Sequence, residues 1–202
     1  MKKLSVLIAA VVLPIAMNAQ QPVKSMSFQP KIGMSVSTIA GADDAKSRIG
    51  LAAGGEFMYQ VSDVVGISFG AIYSQQGAKG TYDSDGITWK MDYINVPILA
   101  NMYSFKGFAV KAGLQASFKV SNKVSMNGVT VDADKFGAEI NTTDLSIPVG
   151  MSYEFNNIVV EARYNFGLTN IMDTKNLGYE ESESCKNSVF QFTIGYKIGW
   201  KN

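Results

Sequence analysis

Residues 189–200 read VFQFTIGYKIGW. Phe190, Phe192, Ile194, Tyr196, Ile198 and Trp200 fall on one side of an extended chain, and Val189, Gln191, Thr193, Gly195, Lys197 and Gly199 fall on the other. Period-two alternation marks a strand whose two faces meet different surroundings. What those surroundings are decides the fold, and the remaining sequence supplies the answer.

Seven further segments repeat the pattern. Taken at every second residue, their large apolar sets run Ile32–Val36, Ile49–Val61, Val65–Tyr73, Ile94–Met102, Phe108–Phe118, Leu145–Phe155 and Ile158–Leu168. The opposite faces are small or polar: Gly54, Glu56, Ser68, Gly70, Asn95, Asn101, Lys111, Gly113, Gln115, Gly150, Ser152, Glu161, Arg163 and Asn165. A soluble lipocalin-like barrel alternates as well, so volume must choose between the faces. An eight-stranded barrel has an interior only just wide enough for side chains to fill it. Glycine, serine and a few ion pairs fit there; rows of Phe, Tyr and Ile do not. The bulky face therefore points outward, into lipid, and the expected fold is an all-β, eight-stranded antiparallel up-and-down transmembrane β-barrel.

Connection lengths give an independent argument. Short turns fall near Ser62-Asp63, Ser104–Gly107 and Asn156-Asn157, and longer connections span 40–48, 77–86, 121–143 and 169–187. Outer-membrane barrels alternate short periplasmic turns with longer outside loops. A two-residue turn at Asn156-Asn157 pairs Phe155 with Ile158 and Ser152 with Glu161, so large meets large and polar meets polar. At Ser62-Asp63 the face assignment needs Val61 opposite Val65, hence a three-residue turn. Trp89 and Met91 are out of phase with Ile94, which predicts a bulge near Asp92 or Tyr93. Aromatics gather at two heights: Tyr59, Tyr103, Tyr153, Phe155 and Trp200 near the short turns, and Tyr73, Trp89, Phe118, Phe166 and Phe190 near the long loops.

The N-terminus reads as an export signal over residues 1–19, leaving residues 20–202 as the barrel domain. Met1-Lys2-Lys3 supplies the positive region, Leu4–Met17 the apolar core, and Ala19 a small residue at the cut. The apolar run is too short to span a bilayer, and Pro14 interrupts it. Gln20 stands where a lipoprotein would carry cysteine, and Cys185 is the sole cysteine of the chain, which excludes an internal disulfide. With 18 Lys and Arg against 17 Asp and Glu, there is no basic footprint for nucleic acid.

In the fourth segment, Asp92-Tyr93-Ile94-Asn95-Val96-Pro97-Ile98 resembles a motif of the outer-membrane β-barrel family of Bacteroidota-type bacteria, the porin-like or PorT-like group. The resemblance covers the whole mature chain. It implies an outer-membrane location, with Asp92, Tyr93, Asn95 and Pro97 as the family positions; Asn95 is a neutral amide where many relatives carry a charge. It implies little about activity, because fold does not determine function.

The chain contains no histidine, which removes Ser-His-Asp catalysis and ordinary zinc chemistry, and no Walker-type glycine loop is present. No enzyme activity, cofactor or metal is expected. Lys31, Glu56, Lys111, Lys119, Glu154, Glu161, Arg163 and Lys197 all fall on inward faces. Buried charges must be paired, so Glu56, Lys111, Glu161, Arg163 and Lys197 are expected to form an ion-pair network that closes the lumen. A narrow anion-preferring path is the alternative use of the same residues. The acidic segment 169–187 (Asp173, Glu180, Glu181, Glu183) and the mixed segment 121–143 (Asp132, Asp134, Lys135, Glu139) form the other candidate surface. The expected protein is a monomer contacting outer-membrane lipid and lipopolysaccharide, structural or adhesive in role. A small porin and an accessory of a secretion or envelope-assembly complex are the alternatives.

Overall fold

The computed structural model describes residues 22–41, 45–82, 85–105, 107–126, 128–133, 141–171 and 185–200. The export signal and the charged residues Asp134, Lys135, Glu139, Asp173, Glu180, Glu181 and Glu183 lie outside them. The strands are β1 (Met26–Ala40), β2 (Lys46–Gln60), β3 (Val65–Tyr82), β4 (Asp85–Phe105), β5 (Phe108–Met126), β6 (Val129–Asp132), β7 (Thr143–Phe155), β8 (Ile158–Gly167), β9 (Lys186–Tyr196) and β10 (Ile198–Trp200).

Neighbours pair antiparallel in the order β1-β2-β3-β4-β5-β7-β8-β9, and β9 returns to β1. Lys31↔Gly195 and Phe28↔Ile198 belong to one register, so β10 continues β9 along β1 beyond a break at Lys197. Among the described residues β6 pairs with β5 alone and stands outside the ring. The product is a closed barrel of eight wall strands with no free edge within the ring.

Side-chain alternation follows the reading of the sequence. On β9, Phe190, Phe192, Ile194 and Tyr196 are exposed, while Val189, Gln191 and Thr193 are buried. A wall whose exposed residues are Ile, Phe, Leu and Met, around an interior of Ser, Asn, Gln, Lys, Glu and Arg, inverts the order of a water-soluble core. Leu114, 65% exposed near mid-height of β5, tests this. Leu114→Arg is expected to cost about 2–4 kcal/mol in urea unfolding from lipid vesicles. Val129→Arg, on β6 beyond the wall, should change little; equal costs would refute a lipid-facing wall.

The short turns have the anticipated geometry. Asn156 and Asn157 both adopt positive φ (47° and 70°), the requirement of a two-residue hairpin turn, and Phe155↔Ile158 and Ser152↔Glu161 are paired. The Val61 amide donates to the Val65 carbonyl at 2.9 Å, enclosing three residues.

Three expectations require correction. The bulge lies at Asp92/Tyr93, but the register steps from Ser121 to Lys119, so the extra residue is Val120 on β5. Met91, Tyr93 and Asn95 remain in phase on β4, all inward and buried, and Trp89 and Met91 are shifted from the outward set because they belong to the inward parity. Second, most of the described residues of segments 77–86 and 121–143 are strand. β3 and β4 run to Tyr82 and Asp85, and β5 folds back on β6. Above the bilayer both faces meet water, so backbone pairing persists while side-chain alternation fades. Third, Tyr103 does not join the aromatic belt: it points inward, with its hydroxyl 2.8 Å from the Met58 sulfur. Tyr59, Tyr153, Phe155 and Trp200 remain exposed near the short turns.

A transmembrane strand needs about 9–11 residues, yet β4 has 21 and β5 has 19. Measured from the short turn after Phe105, the wall ends near Ile94 and Phe118, and the remainder of β3, β4 and β5, with β6, forms an arm on the long-loop side.

Candidate functional site

The lumen holds a five-membered ion cluster. Lys31 from β1 lies 2.9 Å from Glu56 on β2 and 3.1 Å from Glu161 on β8. Lys111 from β5 lies 2.5 Å from Glu161. Arg163, two residues from Glu161 on the same strand face, pairs with it and with Glu56 at 2.6 Å. All five side chains are at most 3% exposed. Lys31 thus belongs with Glu56, Lys111, Glu161 and Arg163, whereas Lys197 does not. It sits at the short-turn end and pairs with Glu154 at 2.6 Å. Height within the barrel separates them: Lys31 pairs across the wall with Gly195, two residues before Lys197 and so farther from the short turns.

Room for these long side chains comes from glycine on adjoining strands. Gly54 and Gly195 flank Lys31, Gly70 is opposite Glu56, and Gly150 lies between Lys111 and Arg163. A Cβ at Gly70 would stand 2.1 Å from the Gly55 carbonyl oxygen and 2.8 Å from Glu56 Cγ. The small inward residues therefore exist because the charges opposite them are large.

Two further layers of buried residues lie above and below the ions. Met58, Tyr103 and Ala109 pack together at the short-turn end. Ile39, Ala78, Met91, Tyr93, Ile171 and Cys185 form an apolar cap at the long-loop end. Beneath the cap, Asp144 accepts hydrogen bonds from Thr169 Oγ1 at 2.6 Å and Asn187 Nδ2 at 2.9 Å. The sequence had no signal for that last group, because its members come from β7, β9 and the segment after β8, and no motif links them.

The strand-4 family positions divide between both faces. Tyr93 helps build the cap, Asn95 and Pro97 are buried inward, and Asp92 accepts a hydrogen bond from the Tyr73 hydroxyl at 2.8 Å. Pro97 has no N–H, and the β3–β4 pairing lapses between Phe69↔Ile98 and Ile72↔Asn95 while Pro97↔Gln115 is kept towards β5. Lys119 sits at the Val120 bulge opposite Tyr93, half-buried. Among the described residues no group of three or more His, Cys, Asp or Glu could hold a metal ion.

The arm presents a different surface. Ile87, Val124, Met126, Val129 and Val131 line an apolar groove on β4, β5 and β6, beyond the wall. Exposed apolar groups in water at this density mark contact surfaces.

Among solved structures, the chain resembles the attachment invasion locus protein Ail of Yersinia pestis. In its complex with the heparin analogue sucrose octasulfate, Ail is 16% identical over 87% of this chain and 100% of its own, with a TM-score of 0.52. A second crystal structure of Ail is 15% identical with the same coverage and a TM-score of 0.50. Neisserial surface protein A is 12% identical over 87% of this chain and 97% of its own, with a TM-score of 0.47. At such identities the likeness is one of fold. Comparison with curated protein sequences gives no match. The family model described as "Outer membrane protein beta-barrel domain" matches residues 18–173, most of the chain. With a closed eight-stranded wall, an apolar exterior and this match, the chain belongs to the outer membrane protein β-barrel domain family and is a protein of the bacterial outer membrane.

Proposed function

We propose that this is a closed, monomeric, non-enzymatic barrel, exported by its N-terminal signal, whose work is done by the surface it displays outside the cell. The observation that supports this reading is the series of closures in the lumen. A mid-height ion cluster fills the section between β1, β2, β5 and β8, and apolar groups pack above and below it. An ion in transit would have to separate pairs at 2.5–3.1 Å and then cross the cap. The role is structural or adhesive: the wall contacts lipid and lipopolysaccharide, and the arm offers apolar contacts to another surface. The strand-4 motif supports placement in the PorT-like group of Bacteroidota-type bacteria. The apolar groove of the arm also favours a second reading, an accessory subunit of an envelope or secretion complex, because such grooves suit a protein partner.

Planar-bilayer recording of the refolded chain tests the closed lumen. Wild type should show no conductance steps. Arg163→Ala should stay silent as well, since the apolar cap stands in series with the site it opens. Steady wild-type conductance would make the protein a small porin. For the arm, cells displaying Val129→Asp/Val131→Asp should lose attachment to surfaces that wild-type cells bind. Unchanged attachment, with the variant folded, would refute the adhesive reading.

A further inference from the structure

Below the apolar cap, between the ion cluster and the long loops, lies a chamber bordered by β3, β5, β7, β8 and β9. Its free space is about 10 Å³ for the centre of a water-sized sphere, enough for one water or one ion. Asp144, Asn165, Asn187, Gln115 and Ser146 line it, and each is at most 4% exposed.

Of the four unpartnered side-chain atoms on the residues that line this space, three are oxygens. Gln115 Oε1, Asn165 Oδ1 and Asn187 Oδ1 have no hydrogen-bond partner, and neither does Asn165 Nδ2. Two of the amides are oriented by their nitrogens. Gln115 Nε2 donates to the hydroxyls of Ser117 and Ser146 at 3.3 Å, and Asn187 Nδ2 donates to Asp144. Their oxygens are thereby left pointing elsewhere. Among the described residues Asp144 receives neutral donors, from Thr169 and Asn187, and no ion pair there includes it. A buried carboxylate needs compensation. Three orphan carbonyl oxygens and a carboxylate thus belong to residues that line one chamber, against one orphan donor, Asn165 Nδ2, and a water has only two protons to offer them.

We propose that this chamber binds one hard cation, of the Na⁺ or Ca²⁺ kind, with Asp144 as its anionic ligand and the amide oxygens of Gln115, Asn165 and Asn187 as neutral ligands. Carboxylate and carbonyl oxygens are the donor set such ions take. A cation here joins β5, β7, β8 and β9 across the upper lumen, so its binding stabilises the closed mouth of the barrel and makes stability depend on the ion.

The test is urea unfolding of the full refolded chain in lipid vesicles, stripped with a chelator and held in choline chloride, then titrated with NaCl, CaCl₂ or MgCl₂ at constant ionic strength. Wild type should show a saturable rise in midpoint with Na⁺ or Ca²⁺, and whichever ion acts identifies the occupant. Mg²⁺ should act weakly, since it demands octahedral geometry and dehydrates reluctantly. Asp144→Asn should abolish the response, and Asn165→Ala should raise the half-saturating concentration about tenfold. An identical wild-type midpoint in choline, Na⁺ and Ca²⁺ would overturn the proposal and leave a water in the chamber. A response retained in Asp144→Asn would place the ion on the acidic loop instead. Should Asp144→Asn fail to fold, an unshifted half-saturation in Asn165→Ala is enough to overturn it.

Discussion

Glu161→Gln is expected to destabilise the barrel by about 3–5 kcal/mol, the cost of breaking a buried ionic group by removing one partner, and to do more damage than Arg163→Met. The order follows from counting charges. Lys31, Lys111 and Arg163 face Glu56 and Glu161, three cations against two carboxylates, so the cluster carries +1. Loss of Arg163 leaves two of each sign, with Lys31 still bridging both carboxylates. Loss of Glu161 leaves three cations around Glu56 alone and takes partners from Lys31, Lys111 and Arg163 together. Adding Lys111→Met to Glu161→Gln should recover part of the loss, a coupling that a double-mutant cycle of urea midpoints in vesicles would read. If Arg163→Met proves as costly as Glu161→Gln, side-chain volume rather than charge balance governs the lumen.

Gly150→Val should cost about 3 kcal/mol, the upper end of overpacking penalties, while Met151→Val on the next residue should cost little. Gly150 faces inward between Lys111 and Arg163, and a Cβ there would stand 2.6 Å from the Ala162 carbonyl oxygen and 3.0 Å from Arg163 Cα. Those are backbone atoms of a paired strand and cannot move without disturbing the ladder. Met151 is 54% exposed to the surroundings of the wall, where a smaller side chain leaves no interior void. The same unfolding assay compares them, and equal effects would mean that the lumen has slack beside the ion cluster.

Alternation in residues such as 189–200 was sufficient to give strand, face and closure, because the period of a strand is two and the bilayer penalises any error of phase. The inward ion pairs were legible for a related reason: a charge on a face of small residues has nowhere else to go. Other features depended on three-dimensional position. Lys197 and Lys31 look alike along the chain, but the heights of their strands give one Glu154 and the other Glu56 and Glu161. Tyr103 has the composition of a belt residue, and its inward parity sends it to Met58 instead.

Local physics in the sequence therefore determined the wall: which residues meet lipid, where the short turns fall, and that the interior is charged. Only the tertiary structure decided which charges meet, that β4, β5 and β6 rise as a paired arm above the membrane, and that Asp144, Asn165, Asn187 and Gln115 surround one chamber. The physical reason is range. Alternation is a property of adjacent residues, whereas a partner across the lumen, such as Glu56 for Arg163 at a sequence separation of 107, is set by barrel closure and stagger.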